Sequence, residues 1–140
     1  MSFEQKLDAQ VPLELPFVDE TGREVKLGDY FGQGKPVILT LVYYECPMMC
    51  TQVLNGLVAS LKDVPFEPGK DFEIVTVSFN PEETPKLAAV KKQTYVKEYG
   101  RAGAQEGWHF LTGRLEPIRR LTHSVGFKYA LDERSGQYVH

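Results

Sequence analysis

Val37-Ile38-Leu39-Thr40-Leu41-Val42-Tyr43, continuing into Tyr44-Glu45-Cys46-Pro47-Met48-Met49-Cys50, is the stretch that decides how this chain is read. Its first half is an uncharged apolar run, the pattern of a central strand buried on both faces. Pro47 suits the first turn of a helix, where a missing N–H is no loss. From Met48 to Asp63 the residues Val53, Leu54, Leu57, Val58 and Leu61 recur at helical period and form one apolar face. Pro65 ends that helix. Cys46 and Cys50, the only cysteines, therefore fall where a strand feeds a helix.

Elements follow on either side. Leu15–Val18 and Arg23–Leu27, joined by Asp19-Glu20-Thr21-Gly22, read as a small hairpin. Residues 28–36 read as a loop. Phe72–Ser78 is rich in β-branched residues and predicts a second strand, parallel to the first. Thr84-Pro85 opens a helix running to about Tyr99, stopped by Gly100. Residues 101–107 read as loop, Trp108–Leu111 as a short strand, Leu115–Val125 as a third helix. Phe127–Leu131 and Tyr138 onward read as further strands. Strand and helix alternate, which implies an α/β layered fold.

The 140 residues fit one domain, 1–140, large enough to bury a core without disulfide staples. A net charge of -3 with no basic stripe argues against a nucleic-acid partner. No apolar run approaches the roughly 20 residues of a membrane helix, and no secretory signal is visible. The chain stops at His140, just inside a strand, and the expectation is either missing C-terminal residues or an unusual terminus.

A disulfide closed over three intervening residues would stabilise little, which disfavours a structural staple. Residues four apart share a helix face, and the N-terminal end of a helix favours anions. A thiolate there has a depressed pKa and is both nucleophile and metal ligand. Redox exchange and metal binding both follow from that. The familiar dithiol motif has two intervening residues; here there are three. Structural zinc takes four ligands, and no second Cys/His pair exists. Two thiolates with one imidazole suit copper(I). His109 alternates with Trp108 and Phe110 and is expected on the opposite sheet face. His123 falls off the apolar face of Leu115, Ile118, Leu121, Thr122 and Val125, and is expected in solvent. His140 follows Tyr138-Val139. Met48 and Met49 flank the site; a thioether can bind copper(I), though methionine more often fills a core gap.

The cysteine segment, the hairpin before it, Val75-Thr76-Val77-Ser78-Phe79-Asn80-Pro81 with Glu83-Thr84-Pro85, Trp108-His109-Phe110-Leu111-Thr112-Gly113 and Val125-Gly126-Phe127 together resemble the Sco/SenC proteins. These are thioredoxin-fold copper proteins that assist assembly of the CuA centre of cytochrome c oxidase. The resemblance implies a thioredoxin-like α/β fold: a central mixed sheet flanked by helices, with an N-terminal β-hairpin. It implies a copper site of Cys46, Cys50 and His140, because Gln137-Tyr138-Val139-His140 matches the family's distal histidine. His123, placed before Val125-Gly126-Phe127, does not. Three departures stand out. Thr51 follows the second cysteine where many members have proline. Asn80 stands where many have Asp, and an amide carries no charge. The family domain continues past its histidine; without that part an apolar sheet edge is exposed, and self-association or strand exchange is expected through it.

Copper binding and delivery to the oxidase copper-bearing subunit, or to another copper protein, is the leading expectation. The alternative is a thiol–disulfide reductase acting on the same target, with Cys46 attacking and Cys50 resolving. A thiol peroxidase would need local support residues, and no matching motif is present. A binding module with inert cysteines conflicts with a thiol pair at a helix start. The resemblance further implies an extracytoplasmic, periplasmic-side location and a membrane anchor outside this chain.

Overall fold

A computed structural model describes residues 11–31, 34–45, 49–125, 130–132 and 137–139, with side chains for 11–31, 34–45 and 54–125. The elements in order are β1 (Pro16–Val18), β2 (Glu24–Lys26), a 3-10 turn (Leu27–Tyr30), β3 (Val37–Val42), α1 (Met49–Lys62), β4 (Glu73–Ser78), α2 (Pro85–Tyr99), α3 (Ala104–Gly107), β5 (Trp108–Leu111), α4 (Leu115–Ser124), β6 (Ala130–Asp132) and β7 (Gln137–Val139).

β1 and β2 form the predicted antiparallel hairpin, with buried Phe17 opposite buried Val25. Its turn is organised by Asp19. One carboxylate oxygen accepts the Thr21 N–H (2.9 Å), the Thr21 hydroxyl (2.6 Å) and the Arg23 N–H (3.0 Å). Burial would raise this carboxyl, but those bonds hold it below the usual aspartate range.

β3, β4 and β5 form a parallel sheet in that order, with Leu39, Val75 and His109 in one row and Thr40, Thr76 and Phe110 in the next. β4 is the central strand and every residue in it is buried. β3 was the expected centre. Instead it pairs only with β4 among the described residues, and Val37–Leu41 are half-buried. An apolar run is compatible with either position, because what distinguishes them is a second partner strand. Among the described residues β6 and β7 pair antiparallel in a ladder of their own, and Val18 and Thr112 bridge the hairpin antiparallel to the end of β5, at 2.8 and 2.9 Å.

The core lies on β4 and β5. Tyr95 of α2 packs on Trp108 and Phe110 at centroid distances of 5.9 and 6.5 Å. The Trp108 indole N–H donates to Thr76 Oγ1 (2.9 Å), and the Thr76 and Thr40 hydroxyls meet at 2.7 Å. The buried hydroxyls thus find partners inside the sheet, as their desolvation requires.

α2 begins and ends as its sequence dictates. Thr84 Oγ1 accepts the Leu87 N–H, Pro85 is the first helical residue, and Gly100 closes the helix at φ 74. Two loops contain short helical turns not expected from sequence: Leu27–Tyr30 and α3. In α3, a Cβ on Gly107 would lie 2.1 Å from the Gly69 backbone nitrogen, so only glycine fits that crossing. On α4 the buried face is Pro117, Ile118, Leu121 and Thr122. Leu115, expected on that face, is exposed.

Candidate functional site

The site begins where β3 ends. Parallel strands present ligands at their C-terminal ends, and β3, β4 and β5 all run toward this edge. Beyond Val42 the chain turns through buried Tyr43 and Tyr44. The Phe79 N–H donates to Val42 O (2.9 Å), which continues the β3–β4 pairing one step past the strand. The Tyr44 hydroxyl donates to Leu111 O (2.7 Å) and contacts Thr76 O (3.2 Å). Tyr44 therefore ties the exit of β3 to both β4 and β5. Burial first, and then the negative charge of Glu83, push its hydroxyl well above the usual tyrosine range, so it stays a protonated donor.

Glu83 completes this junction. It is 9% exposed. Its Oε1 accepts the Tyr44 N–H at 2.6 Å and the Ser78 hydroxyl at 2.5 Å, and its Oε2 accepts the Glu45 N–H at 2.8 Å. The loop that carries it is itself fixed. The Glu82 N–H donates to Asn80 Oδ1 (3.0 Å), the Glu83 N–H to Asn80 O (3.2 Å), and the Asn80 N–H to Ser78 Oγ (3.1 Å). Asn80 thus serves as a turn former, and the buried carboxylate of this loop is Glu83. A groove of about 360 Å³ opens beside it, walled by Phe17, Val18, Thr112 and Arg114.

Cys50 is the second residue of α1. Its backbone lies in the first turn, where four N–H groups lack helical partners, as the sequence reading required. Cys46, Pro47, Met48 and His140 lie outside the described residues, as do the side chains of Met49, Cys50 and Thr51. Among the described residues, no three His, Cys, Asp or Glu side chains group closely enough to hold a metal.

The other two histidines are accounted for. His109 lies across the sheet from Trp108 and Phe110, as alternation predicts. Its ring packs at a tilt against Tyr30, with centroids 4.3 Å apart, and Nε2 lies 3.4 Å from Glu73 Oε2. Burial holds its imidazole below the usual histidine range, and the nearby Glu73 carboxylate only partly offsets this. Glu73 also meets Lys35 Nζ at 3.5 Å. This cluster sits at the N-terminal ends of β4 and β5, at the edge opposite the cysteines. His123 is exposed on α4, off its buried face.

A model of the SCO1/SenC family matches residues 4–140. The chain belongs to the SCO1/SenC family. Solved structures share its thioredoxin-like fold. One is a candidate electron transfer protein of Aquifex aeolicus VF5, 28% identical, with a TM-score of 0.73, covering 96% of this chain and 74% of its own. Arabidopsis thaliana ScoI with copper bound is 24% identical, with a TM-score of 0.66 over 89% of this chain and 72% of that one. Yeast Sco1 with copper bound is 18% identical, with a TM-score of 0.59 over 96% and 82%. A search of the curated proteins found no match. In the sequence of this SCO1/SenC chain, Cys46 falls between Val42, the last residue of β3, and Met49, the first of α1, and Cys50 is the second residue of α1.

Glu83 is the junction residue that sequence reasoning missed. An acidic residue next to Thr84-Pro85 reads as a charge favourable to a helix N-terminus. Its reach to Tyr44 and Glu45 depends on two strands being neighbours.

Proposed function

We propose that this SCO1/SenC chain binds copper through Cys46, Cys50 and His140 and delivers it to the copper-bearing subunit of cytochrome c oxidase. The observation that carries the reading is the family match over residues 4–140, joined to Cys50 in the first turn of the helix that follows β3. Two thiolates and an imidazole form a soft donor set suited to copper, and the ion is cargo rather than a resident cofactor. Two structures of the same fold hold copper. Copper titration of the reduced protein, with electronic absorption and magnetic resonance spectra, tests the site. One ion per chain is expected, with affinity reduced at least tenfold in Cys46→Ala and His140→Ala. Unchanged affinity in both variants would remove the three-ligand site.

A second reading, thiol–disulfide reduction of the oxidase copper-site cysteines, is favoured by the position of Cys50. Unpaired N–H groups and the helix dipole stabilise a thiolate there. A Sco family structure of this fold was determined with a disulfide switch as its subject. This reading predicts exchange with a target disulfide that survives loss of His140.

Residues 1–140 are read as one domain. Placement outside the cytoplasmic membrane is supported by a SCO1/SenC family lipoprotein of Bacillus anthracis with this fold. Among the described residues, no helix is long and apolar enough to cross a membrane. The half-buried edge of β3 supports association between copies; a monomer mass independent of concentration would argue against it.

A further inference from the structure

We infer that Glu83 is the positioning residue of the cysteine pair: its buried carboxylate fixes the two peptide groups that lead into Cys46 and sets the redox balance of Cys46 and Cys50. The inference rests on the reading above in one respect, that these cysteines are the working pair.

Three donors converge on this one carboxylate. Two are the consecutive backbone N–H groups of Tyr44 and Glu45, held at 2.6 and 2.8 Å by different oxygens. The third is the Ser78 hydroxyl at 2.5 Å. An ionised carboxylate is acceptor-only, and this donor set matches it. Holding two successive peptide planes leaves little freedom in the direction taken by the next residue. That residue is Cys46.

Glu83 is also well anchored. Asn80 shapes its turn, and Thr84 and Pro85 start α2 directly after it. The clamp therefore joins the end of β3 to the end of β4 and the start of α2. Ser78 Oγ and Tyr44 alone would leave the Glu45 N–H without this acceptor. The groups that Glu83 is seen to hold, Tyr44 N–H, Glu45 N–H and the Ser78 hydroxyl, are not ligands of the proposed copper site, so the part assigned to it is positioning.

The charge adds a direction to the geometry. A negative group beside the junction opposes the negative charge of a thiolate. It thereby favours the uncharged disulfide over the reduced pair. Exchange with glutathione reads this balance. Two thiols lose two protons and two electrons as the S–S bond forms, and one oxidised glutathione takes them up to become two reduced molecules.

The test uses copper-free protein of the full 140 residues. In glutathione buffers, Glu83→Gln should shift the equilibrium toward the dithiol about tenfold, which is about 30 mV for a two-electron couple. Hydrogen exchange should show at least tenfold loss of protection at the Tyr44 and Glu45 amides, with the amides in the middle of α2 unchanged. Glu83→Asp keeps the charge but is one methylene too short to hold both amides. It should keep the fold, lose protection at one of the two amides and shift the redox equilibrium less than Glu83→Gln. If Glu83→Gln does not fold, Glu83→Asp decides alone: wild-type protection at both amides would overturn the inference. A redox equilibrium in Glu83→Gln within twofold of wild type would overturn it equally. Neither readout contains copper, so failure of the copper site in Cys46→Ala or His140→Ala remains a separate result.

Discussion

Two buried carboxylates bracket the central strand, and they are held in opposite ways. Glu73, at the start of β4, meets side chains: Lys35 Nζ at 3.5 Å and His109 Nε2 at 3.4 Å. Glu83, just beyond its end, meets two backbone N–H groups and a hydroxyl at 2.5 to 2.8 Å. A carboxylate held by a titratable side chain ties stability to pH. One held by peptide groups ties the path of the chain to a charge. The first kind lies at the N-terminal end of β4, and the second holds the Tyr44 and Glu45 peptide groups that precede Cys46 in sequence.

The Glu20–Lys92 pair gives the scale for a purely structural ion pair. Lys92 of α2 contacts Glu20 of the hairpin turn at 2.5 Å, with side chains 9% and 10% exposed. Lys92→Ala leaves a buried charge without its partner and should lose roughly 3 to 5 kcal/mol in urea unfolding. The redox equilibrium of the cysteines should not move. If it does, the contrast between structural and junction carboxylates collapses.

Glu83→Ala comes next. It leaves the buried Tyr44 N–H without its acceptor, at roughly 1 to 3 kcal/mol, and adds less at the Glu45 N–H, whose residue is exposed. Chemical denaturation should show that loss together with a shifted redox equilibrium, the combination Lys92→Ala lacks. Glu73→Gln should lose only about 1 kcal/mol, because its contacts are long and a polar side chain remains. A loss as large as that of Glu83→Ala would mean that the two ends of β4 are not distinguished by how their carboxylates are bound.

The pH response belongs to the Glu73 end. The folded state holds His109 below its unfolded value because burial disfavours the cation. As pH falls below about 6.5, the unfolded chain takes up that proton first. The stabilisation is complete above that pH and is lost progressively toward the lower folded value. Thermal unfolding of wild type between pH 7 and pH 5 should therefore show falling stability, and His109→Gln a shallower fall. An equal slope would remove His109 as the source. The smallest effect is expected for His123→Ala on exposed α4, within about 0.5 kcal/mol and without change in copper affinity. A tenfold loss of affinity there would bring into the site a histidine that the sequence pattern set aside.

Much of this architecture could be read from local pattern. The hairpin follows from alternation around the turn Asp19-Glu20-Thr21-Gly22, α2 from Thr84-Pro85 and Gly100, and α1 from apolar spacing after the cysteines. The reading was less successful where two segments had to meet. Val37–Val42 is more apolar than Glu73–Ser78, so composition placed β3 at the centre, whereas among the described residues β4 is the strand with a partner on both sides. Leu115 fits the helical period of α4 yet is exposed, because period gives a face without saying how much of it a neighbour covers. Glu73 and Lys92 carry full charges, and nothing nearby in sequence announces their burial.

The sequence by itself determined the order of elements, their caps and the place of the cysteine pair after a strand, since these depend on residues a few positions apart. The tertiary structure alone decided which strand has a partner on both sides among the described residues, and which carboxylate holds the junction. Glu83 reaches Tyr44 and Glu45 only because β3 and β4 lie side by side, and a contact spanning that much chain is fixed by packing rather than by local preference.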